Sequence, residues 1–267
     1  MIPHMIEYID IGVNLTGSSF NSDLDDVVQR ALDAGVSQMI VTGTDMHHSQ
    51  AALQLSRSYP GILMSTAGVH PHHASEFDDN TISRLRDLCA GESVVAVGEC
   101  GLDYNRNYST PAEQRSAFEA QLQLACELRL PVFLHQRDAH DDFVSIISEY
   151  HNDLAGAVAH CFTGSMDEAL EYVAMDMYIG ITGWICDERR GGDLQHAVKS
   201  IPVDRIMLET DAPYLLPRDL QQQPVHKRRN EPCYLPHICE VTAKYMGIDH
   251  QQLAQTALEN TRKFFVL

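Results

Sequence analysis

The stretch Val95-Ala-Val-Gly-Glu99 is a short apolar run that ends on a potential metal ligand, and three further runs end in the same way. They are Val132-Phe-Leu-His135, Ala157-Val-Ala-His160 and Met207-Leu-Glu209-Thr-Asp211. Short apolar runs are typical of buried parallel strands, and the residues that follow such strands lie at the carboxyl edge of the sheet. The four runs therefore predict that Glu, His, His and Asp side chains meet at one rim, as in α/β barrels with a hydrolytic metal site.

Segments with strand character alternate eight times with segments that have helical periodicity. The predicted strands are 8–13, 38–42, 62–67, 94–98, 132–134, 157–159, 177–181 and 205–208. A chain of 267 residues suits one large α/β barrel. We therefore predict a TIM (β/α)8 barrel in which residues 1–267 form a single domain. A doubly wound open sheet is the alternative, but eight evenly spaced units favour closure.

Two basic runs and a long loop follow the seventh and eighth predicted strands. Residues 212–233 contain four prolines and the triplet Lys227-Arg-Arg229, while Arg189-Arg190 form a second basic run. Such runs are usually solvated loops, but they would also suit contacts to phosphate groups. Helices are predicted after the long loop, at 235–246 and 251–264.

The composition predicts a reduced cytoplasmic protein. The formal net charge is −18, which disfavours a broad basic surface for nucleic acid, so an anionic substrate would need local help from a metal or a few cations. The seven cysteines form no Cys-x-x-Cys pair, and packed thiols are the expected state. Neither a basic leader followed by an apolar stretch nor a membrane-spanning run is present in the sequence, so we expect no association with a membrane.

The residue types at the predicted rim suit metal-assisted hydrolysis. Glu99, His135 and His160 offer one carboxylate and two imidazoles from neighbouring strands. Either carboxylate of Glu209-Thr-Asp211 can bind a cation or accept a proton from water, while the other holds the orientation. His70 follows the third strand and is a further candidate for function.

Asp10 lies within the otherwise apolar first strand, and its role is open. It could bind metal, orient a ligand, or form structural hydrogen bonds. The sequence lacks a Gly-x-Ser-x-Gly elbow, a phosphate-binding Gly-x-x-x-x-Gly-Lys loop and a His-Glu-x-x-His motif, which disfavours other common hydrolytic and nucleotide-binding chemistries.

Several motifs together resemble the TatD family of metal-dependent deoxyribonucleases, in order and over essentially the whole chain. They are Ala-Gly-Val-His70-Pro-His72, Val-Gly-Glu99-Cys-Gly-Leu-Asp103-Tyr, Phe-Leu-His135-Gln-Arg-Asp138, Ala-His160-Cys-Phe-Thr-Gly and Leu-Glu209-Thr-Asp211-Ala-Pro-Tyr-Leu. The match across distant segments makes this resemblance far more specific than any single motif.

The resemblance implies a TIM-barrel phosphodiesterase that needs a divalent metal. It implies that Glu99, His135 and His160 bind the metal, and that Asp211 completes the catalytic centre. We expect Asp211 to act as the general base and as a further metal ligand, with support from Glu209. His70 would contact substrate phosphate, or protonate the leaving oxygen. His72 and Arg137 are expected to contact substrate as well. The implied activity is a 3′-to-5′ exonuclease on single-stranded DNA or RNA ends. We expect Mg²⁺ on the resemblance, with Mn²⁺ second, although the imidazole ligands would also suit Zn²⁺.

Two positions depart from the family pattern. Most relatives begin with Asp-x-His-x-His, where this chain has Gly12 and Asn14 in place of the histidines. Glycine offers no side-chain ligand, and Asn14 offers only a neutral amide oxygen. We therefore expect one firm metal site, with Asp10 and Asn14 as weak ligands or as groups that orient other ligands.

Two other functions remain as alternatives. The first is a metal-dependent barrel hydrolase of small cyclic amides or esters, which would normally need the missing histidines and a lysine at the position of Glu99. The second is a binding protein without catalytic activity. We expect a monomer that needs no protein partner.

Overall fold

The computed structural model describes residues 6–222 and 224–267, and eight parallel strands form its sheet. The strands are β1 (Tyr8–Val13), β2 (Val36–Val41), β3 (Leu63–Ala67), β4 (Val94–Asp103), β5 (Val132–Arg137), β6 (Ala157–Ala159), β7 (Tyr178–Ile181) and β8 (Ile206–Leu208). They lie in sequence order from β1 to β8, and each pairs with the next in parallel. Residues 1–5 and Gln223, which fall in the predicted domain and long loop, lie outside the described residues.

The sheet closes between β1 and the segment that follows β8. The Asp211 N–H donates to the Gly12 carbonyl at 2.9 Å, and the Asn14 N–H donates to the Ala212 carbonyl at 2.7 Å. Val13 and Ala212 form a parallel bridge at the same place. The TIM-barrel prediction is confirmed, because a doubly wound sheet would cross over in strand order rather than return to β1.

Helices cover the outside of this sheet. They are α1 (Leu24–Asp33), α2 (Met46–Ser58), α3 (Thr81–Cys89), α4 (Pro111–Leu128), α5 (His140–Tyr150), α6 (Met166–Ala174), α7 (Gly192–Ala197), α8 (Leu235–Met246) and α9 (His250–Phe265). The α4 helix begins with a capping box formed by Thr110 and Glu113. Among the described residues, no helix is long and apolar enough to span a membrane.

β4 and β5 run beyond their predicted ends. Pairing continues through Gly101 with His135 and Asp103 with Arg137. Gly98 and Gly101 have φ values of +138° and +140°, and a Cβ on either would clash with the β5 backbone, so only glycine permits this close approach. Glu99 consequently lies inside a strand rather than after one.

Asp10 forms structural hydrogen bonds across the closure of the barrel. Its side chain is fully buried. One carboxylate oxygen accepts the Thr210 N–H at 2.9 Å and the Gly12 N–H at 3.2 Å, and the other accepts the Thr210 hydroxyl. Burial raises the pKa of Asp10 to about 8. Of its three possible roles, the contacts support the structural one.

An ion-pair cluster attaches the long loop to α1. The Arg229 guanidinium donates to Asp23 at 2.8 and 2.7 Å and to the fully buried Glu231 at 2.7 Å. Arg30 also donates to Glu231, at 2.7 Å. Arg229 therefore belongs neither to a solvated loop nor to a surface that is free to bind phosphate, and both interpretations of the basic triplet were wrong for this residue.

Replacing Asp10 should weaken the closure of the barrel. We expect Asp10→Ala to lower the free energy of unfolding by about 3 kcal/mol, because it leaves buried N–H groups of Thr210 and Gly12 without acceptors. Urea denaturation would measure this. Asp79→Ala, which removes an exposed aspartate, is the control and should stay within about 0.5 kcal/mol of the unmodified protein. Equal losses in the two variants would contradict the assignment.

Candidate metal centre

The Glu99 carboxylate lies at the centre of the rim and contacts three imidazole rings. Its Oε1 atom is 2.7 Å from His160 Nε2, 3.0 Å from His135 Nδ1 and 3.3 Å from His70 Nε2. Burial acts to raise the pKa of Glu99, but attraction to the His160 and His70 rings outweighs it and holds the pKa well below its ordinary value. The site therefore contains an ionised carboxylate, although Glu99 is only 6% exposed.

His135 has a ring nitrogen with no hydrogen-bond partner. Its Nδ1 atom contacts Glu99, but its buried Nε2 atom makes no hydrogen bond to any described residue. Asp103 Oδ2 is 3.4 Å from that nitrogen. A buried imidazole nitrogen is normally satisfied, so this atom is available to a ligand that the protein itself does not supply.

Glu209 fixes the orientation of the His160 ring. Its Oε2 atom is 3.2 Å from His160 Nδ1, and its Oε1 atom accepts the N–H of Cys161. With Nδ1 engaged by a carboxylate, Nε2 is the ring atom that faces Glu99 and is placed to bind a cation. Burial acts to lower the pKa of His160, but the negative charges of Glu99 and Glu209 raise it well above its ordinary value.

Glu209 occupies space that two glycines leave open. A Cβ on Gly12 would lie 2.5 Å from Glu209 Oε2, and a Cβ on Gly180 would lie nearer still to Oε1. The carboxylate thus fills the gap between β1 and β7. A histidine at position 12 would need Glu209 to move, so the glycine at position 12 and the placement of Glu209 belong to one packing arrangement.

Asp211 lies beside the same group of carboxylates. Its backbone has a φ of +53°, and its Oδ1 atom accepts a hydrogen bond from Asn14 Nδ2 at 2.9 Å. Burial, together with the charges of Glu99 and Glu209, raises the pKa of Asp211 to about 7. Asn14 thus contacts Asp211 through its amide NH₂ group.

His70 is set up as a hydrogen-bond donor. The His72 N–H donates to His70 Nδ1 at 3.0 Å, so a neutral His70 ring carries its proton on Nε2, the atom that faces Glu99. Burial lowers the pKa of His70 to about 4. His70 was expected to contact phosphate, and the structure places its ring within the same group as Glu99 and His135, whose ligand atoms lie within 4.8 Å of one another.

The two other predicted substrate contacts lie further out on the rim. His72 Nε2 is 2.8 Å from Asp103 Oδ2, and Arg137 donates to the Thr163 hydroxyl at 3.1 Å. Asp103 was not a predicted site residue, although it contacts both His72 and His135. Its position in the quoted motif Gly101-Leu-Asp103, shortly after Glu99, was the available signal.

The donor groups fit a divalent cation. Glu99, Glu209 and Asp211 place three carboxyl groups together with three imidazoles at a rim largely removed from water, and buried anions need a compensating positive charge. Imidazole nitrogen and carboxylate oxygen are ligands for Zn²⁺, Mn²⁺ and Mg²⁺. The convergence of three imidazole rings on the ionised Glu99 carboxylate is the specific observation in favour of a metal.

A side chain at position 12 should weaken cation binding. We expect Gly12→Ala to displace the Glu209 carboxylate from His160 and to lower affinity for Mn²⁺ about 10- to 100-fold, the usual effect of losing a group that orients a ligand. Titration calorimetry would measure the affinity.

Gly192→Ala is the matched control for this variant, because a Cβ there meets no atom within 4 Å. Unchanged Mn²⁺ affinity in Gly12→Ala would show that the contact with Glu209 does not orient the ligand.

Comparisons with known proteins identify the family of this chain. The profile of the family described as TatD related DNase matches residues 9–266. The chain is 55% identical over 259 residues to a 3′-5′ ssDNA/RNA exonuclease TatD from Erwinia tasmaniensis and 54% identical over 258 residues to its namesake from Yersinia pseudotuberculosis, covering 97% of this chain and 99% of each relative. A TatD family hydrolase from Entamoeba histolytica superimposes with a TM-score of 0.89 at 27% identity, over 97% of this chain and 98% of that one. The chain therefore belongs to the TatD-related DNase family and is a nuclease.

Proposed function

We propose that this nuclease removes nucleotides from the 3′ end of single-stranded DNA, and of RNA, with a divalent cation held by Glu99, His135 and His160. The convergence of three imidazole nitrogens, from His160, His135 and His70, on the ionised Glu99 carboxylate is the observation that carries the metal assignment. The relatives from Erwinia and Yersinia are named as exonucleases of this polarity and substrate class. We rank Mg²⁺ first and Mn²⁺ second, with Zn²⁺ as a further candidate.

A cation bound there would polarise a phosphoryl oxygen and lower the pKa of a water molecule. The surrounding side chains would supply the general base and hold the metal ligands in orientation. Asp211 is the proposed general base and a possible further ligand, because Asn14 engages only its Oδ1 atom and leaves Oδ2 to accept a proton. Glu209 keeps the His160 ring in the orientation that binding requires.

The substrate contacts follow from the hydrogen-bond donors at the rim. His70 would donate a hydrogen bond from its Nε2 N–H to a phosphate oxygen, while His72 and Arg137 hold neighbouring groups of the substrate. Because burial lowers the pKa of His70 to about 4, the neutral ring has no proton to transfer to the leaving oxygen, and the expected role as an acid is not carried into this proposal. Two exposed aromatic side chains lie at the same rim. Tyr108 is 64% exposed and contacts the His72 ring, and Tyr214 is 61% exposed and follows Asp211 by three positions. Exposed aromatic rings suit unpaired bases, which favours a single strand as substrate.

The proposal also includes the domain organisation, oligomeric state and cellular compartment of the enzyme. We propose that residues 1–267 form one domain that acts as a monomer. The cysteines of the described residues are all free, which suits a reducing compartment such as the cytoplasm.

End-labelled single-stranded DNA tests the activity and its polarity. With Mg²⁺ or Mn²⁺, a 5′ label should appear in a ladder of successively shorter products, whereas a 3′ label should be released first as a mononucleotide. EDTA should stop both reactions. Release of the 5′ label first, or cleavage that continues in EDTA, would contradict the proposal.

Replacing the proposed general base should lower the catalytic rate strongly. We expect Asp211→Asn to lower kcat about 10²- to 10⁴-fold, the usual contribution of general base catalysis, while KM changes little. Asp79→Asn is the control, because Asp79 is exposed and is none of the proposed site residues. Full activity in Asp211→Asn would rule out Asp211 as the base.

A further inference from the structure

Two arginine side chains lie against the only tryptophan of the chain, Trp184. The Arg190 guanidinium carbon is 4.4 Å from the centre of the indole ring, and that of Arg137 is 5.8 Å from it. Both distances fall within the range of cation–π contacts. Trp184 and Arg190 have no role in the chemistry proposed above.

The backbone holds Trp184 at the edge of the candidate metal centre. The ring belongs to a short 3₁₀ helix, Gly183–Cys186, that begins directly after β7, and the Thr182 hydroxyl accepts the Trp184 N–H at 3.2 Å. Gly183 packs so closely on the carbonyl of Leu215 that a Cβ would clash with it. Leu215 lies in the loop that begins at Asp211, so this helix is packed against the loop that carries the proposed base.

Arg137 connects the same ring to the metal centre. It follows His135 by two residues on β5, so the two side chains leave the same face of the strand, roughly 7 Å apart along it. Arg137 also donates to Thr163, three residues after His160. The Trp184 ring therefore lies within reach of a single-stranded nucleic acid whose terminal phosphodiester is bound at Glu99, His135 and His160.

The arginines keep hydrogen-bond donors available. Arg190 donates through Nε to Asp187 at 2.9 Å, and its two Nη groups have no hydrogen-bond partner among the described residues. Arg137 uses Nη1 for Thr163, and its Nη2 likewise has no partner in the described part of the chain. A guanidinium that stacks on an aromatic ring keeps its planar edge of N–H groups, which matches a phosphate in two-point contact.

We propose that Arg137, Trp184 and Arg190 form a second substrate subsite, which binds a backbone phosphate of the single strand away from the bond that is cleaved. The inference rests on the proposed function and adds the residues that hold the remainder of the strand. Asp187, Glu188 and Asp138 lie beside these arginines in the sequence, and the whole chain carries a net charge of −18. Long-range attraction is therefore weak here, and direct contact to phosphate must supply the binding.

Arg189 is a closely matched control for Arg190. Both side chains are 56% exposed and both contact Asp187, but only Arg190 lies over the Trp184 ring. Gln at either position removes the same charge from the same loop. A difference between the two variants therefore reports the subsite, whereas a general electrostatic effect would be the same in both.

Binding is measured in EDTA, where hydrolysis stops and protein side chains supply the remaining affinity. Anisotropy of a 5′-labelled oligothymidylate gives the affinity, and the emission of the single tryptophan shows whether the strand reaches Trp184. We expect Arg190→Gln to bind about tenfold more weakly, as expected for a lost hydrogen bond to a charged group. The slope of log affinity against log salt should fall by about 0.7, the value for one phosphate contact of a single strand. Arg189→Gln should match the unmodified protein in both respects.

Steady-state kinetics with metal present provide a second measurement, which decides the question if binding in EDTA is too weak to detect. Arg190→Gln should raise KM about tenfold on a single strand while kcat stays unchanged, because the contact lies away from the reacting phosphate. Arg190→Lys should keep the salt slope but recover only part of the affinity, since lysine lacks the planar edge.

The proposal of a second subsite is contradicted if Arg190→Gln and Arg189→Gln have the same affinity, salt slope and KM. It is also contradicted if tryptophan emission stays constant while anisotropy reports binding. These outcomes leave the proposed function intact as long as the unmodified protein cleaves single strands. Failure of the unmodified protein to cleave them would instead overturn the proposed function.

Discussion

The placement of Glu209 between β1 and β7 governs the geometry of the candidate metal centre. Its carboxylate fills space that Gly12 and Gly180 leave open and contacts the His160 ring and the Cys161 N–H. The barrel closes at the same point, through the hydrogen bonds of Asp10 with Thr210. Closure of the sheet and orientation of His160 therefore depend on adjacent residues of one segment, which couples the stability of the fold to the geometry of the site.

The electrostatic balance of the rim explains why a cation suits it. Glu99 stays ionised because the surrounding imidazoles outweigh the cost of its burial, while Asp211 has a raised pKa because burial and neighbouring carboxylates disfavour its charge. The carboxyl groups of Glu99 and Asp211 thus differ in protonation because their surroundings differ. A divalent cation would compensate the excess negative charge, and the imidazole nitrogens around Glu99 are placed to bind it.

A strongly acidic nuclease must hold an acidic polymer by short-range contacts. Most of the basic residues expected to help are engaged with carboxylates, as Arg229 illustrates in its cluster with Asp23 and Glu231. Arg137 and Arg190 also contact carboxylates through Nε, but they lie on an aromatic ring and keep Nη groups available. The distribution of donors, rather than net charge, is the basis for the second subsite proposed above.

The sequence by itself determined the barrel and the rim residues, because buried parallel strands are apolar runs and the residues at their ends meet on one side. It predicted β1 and β6 with their observed bounds, and it placed Glu99, His135, His160 and Asp211 in one group. Only the tertiary structure decided the continuation of β4 beyond Gly98, the role of Asp10 and the link between Gly12 and Glu209. These depend on close approach between segments distant in the chain, such as Gly98 to Phe133 or Gly12 to Glu209, and no local pattern of residues encodes such distances.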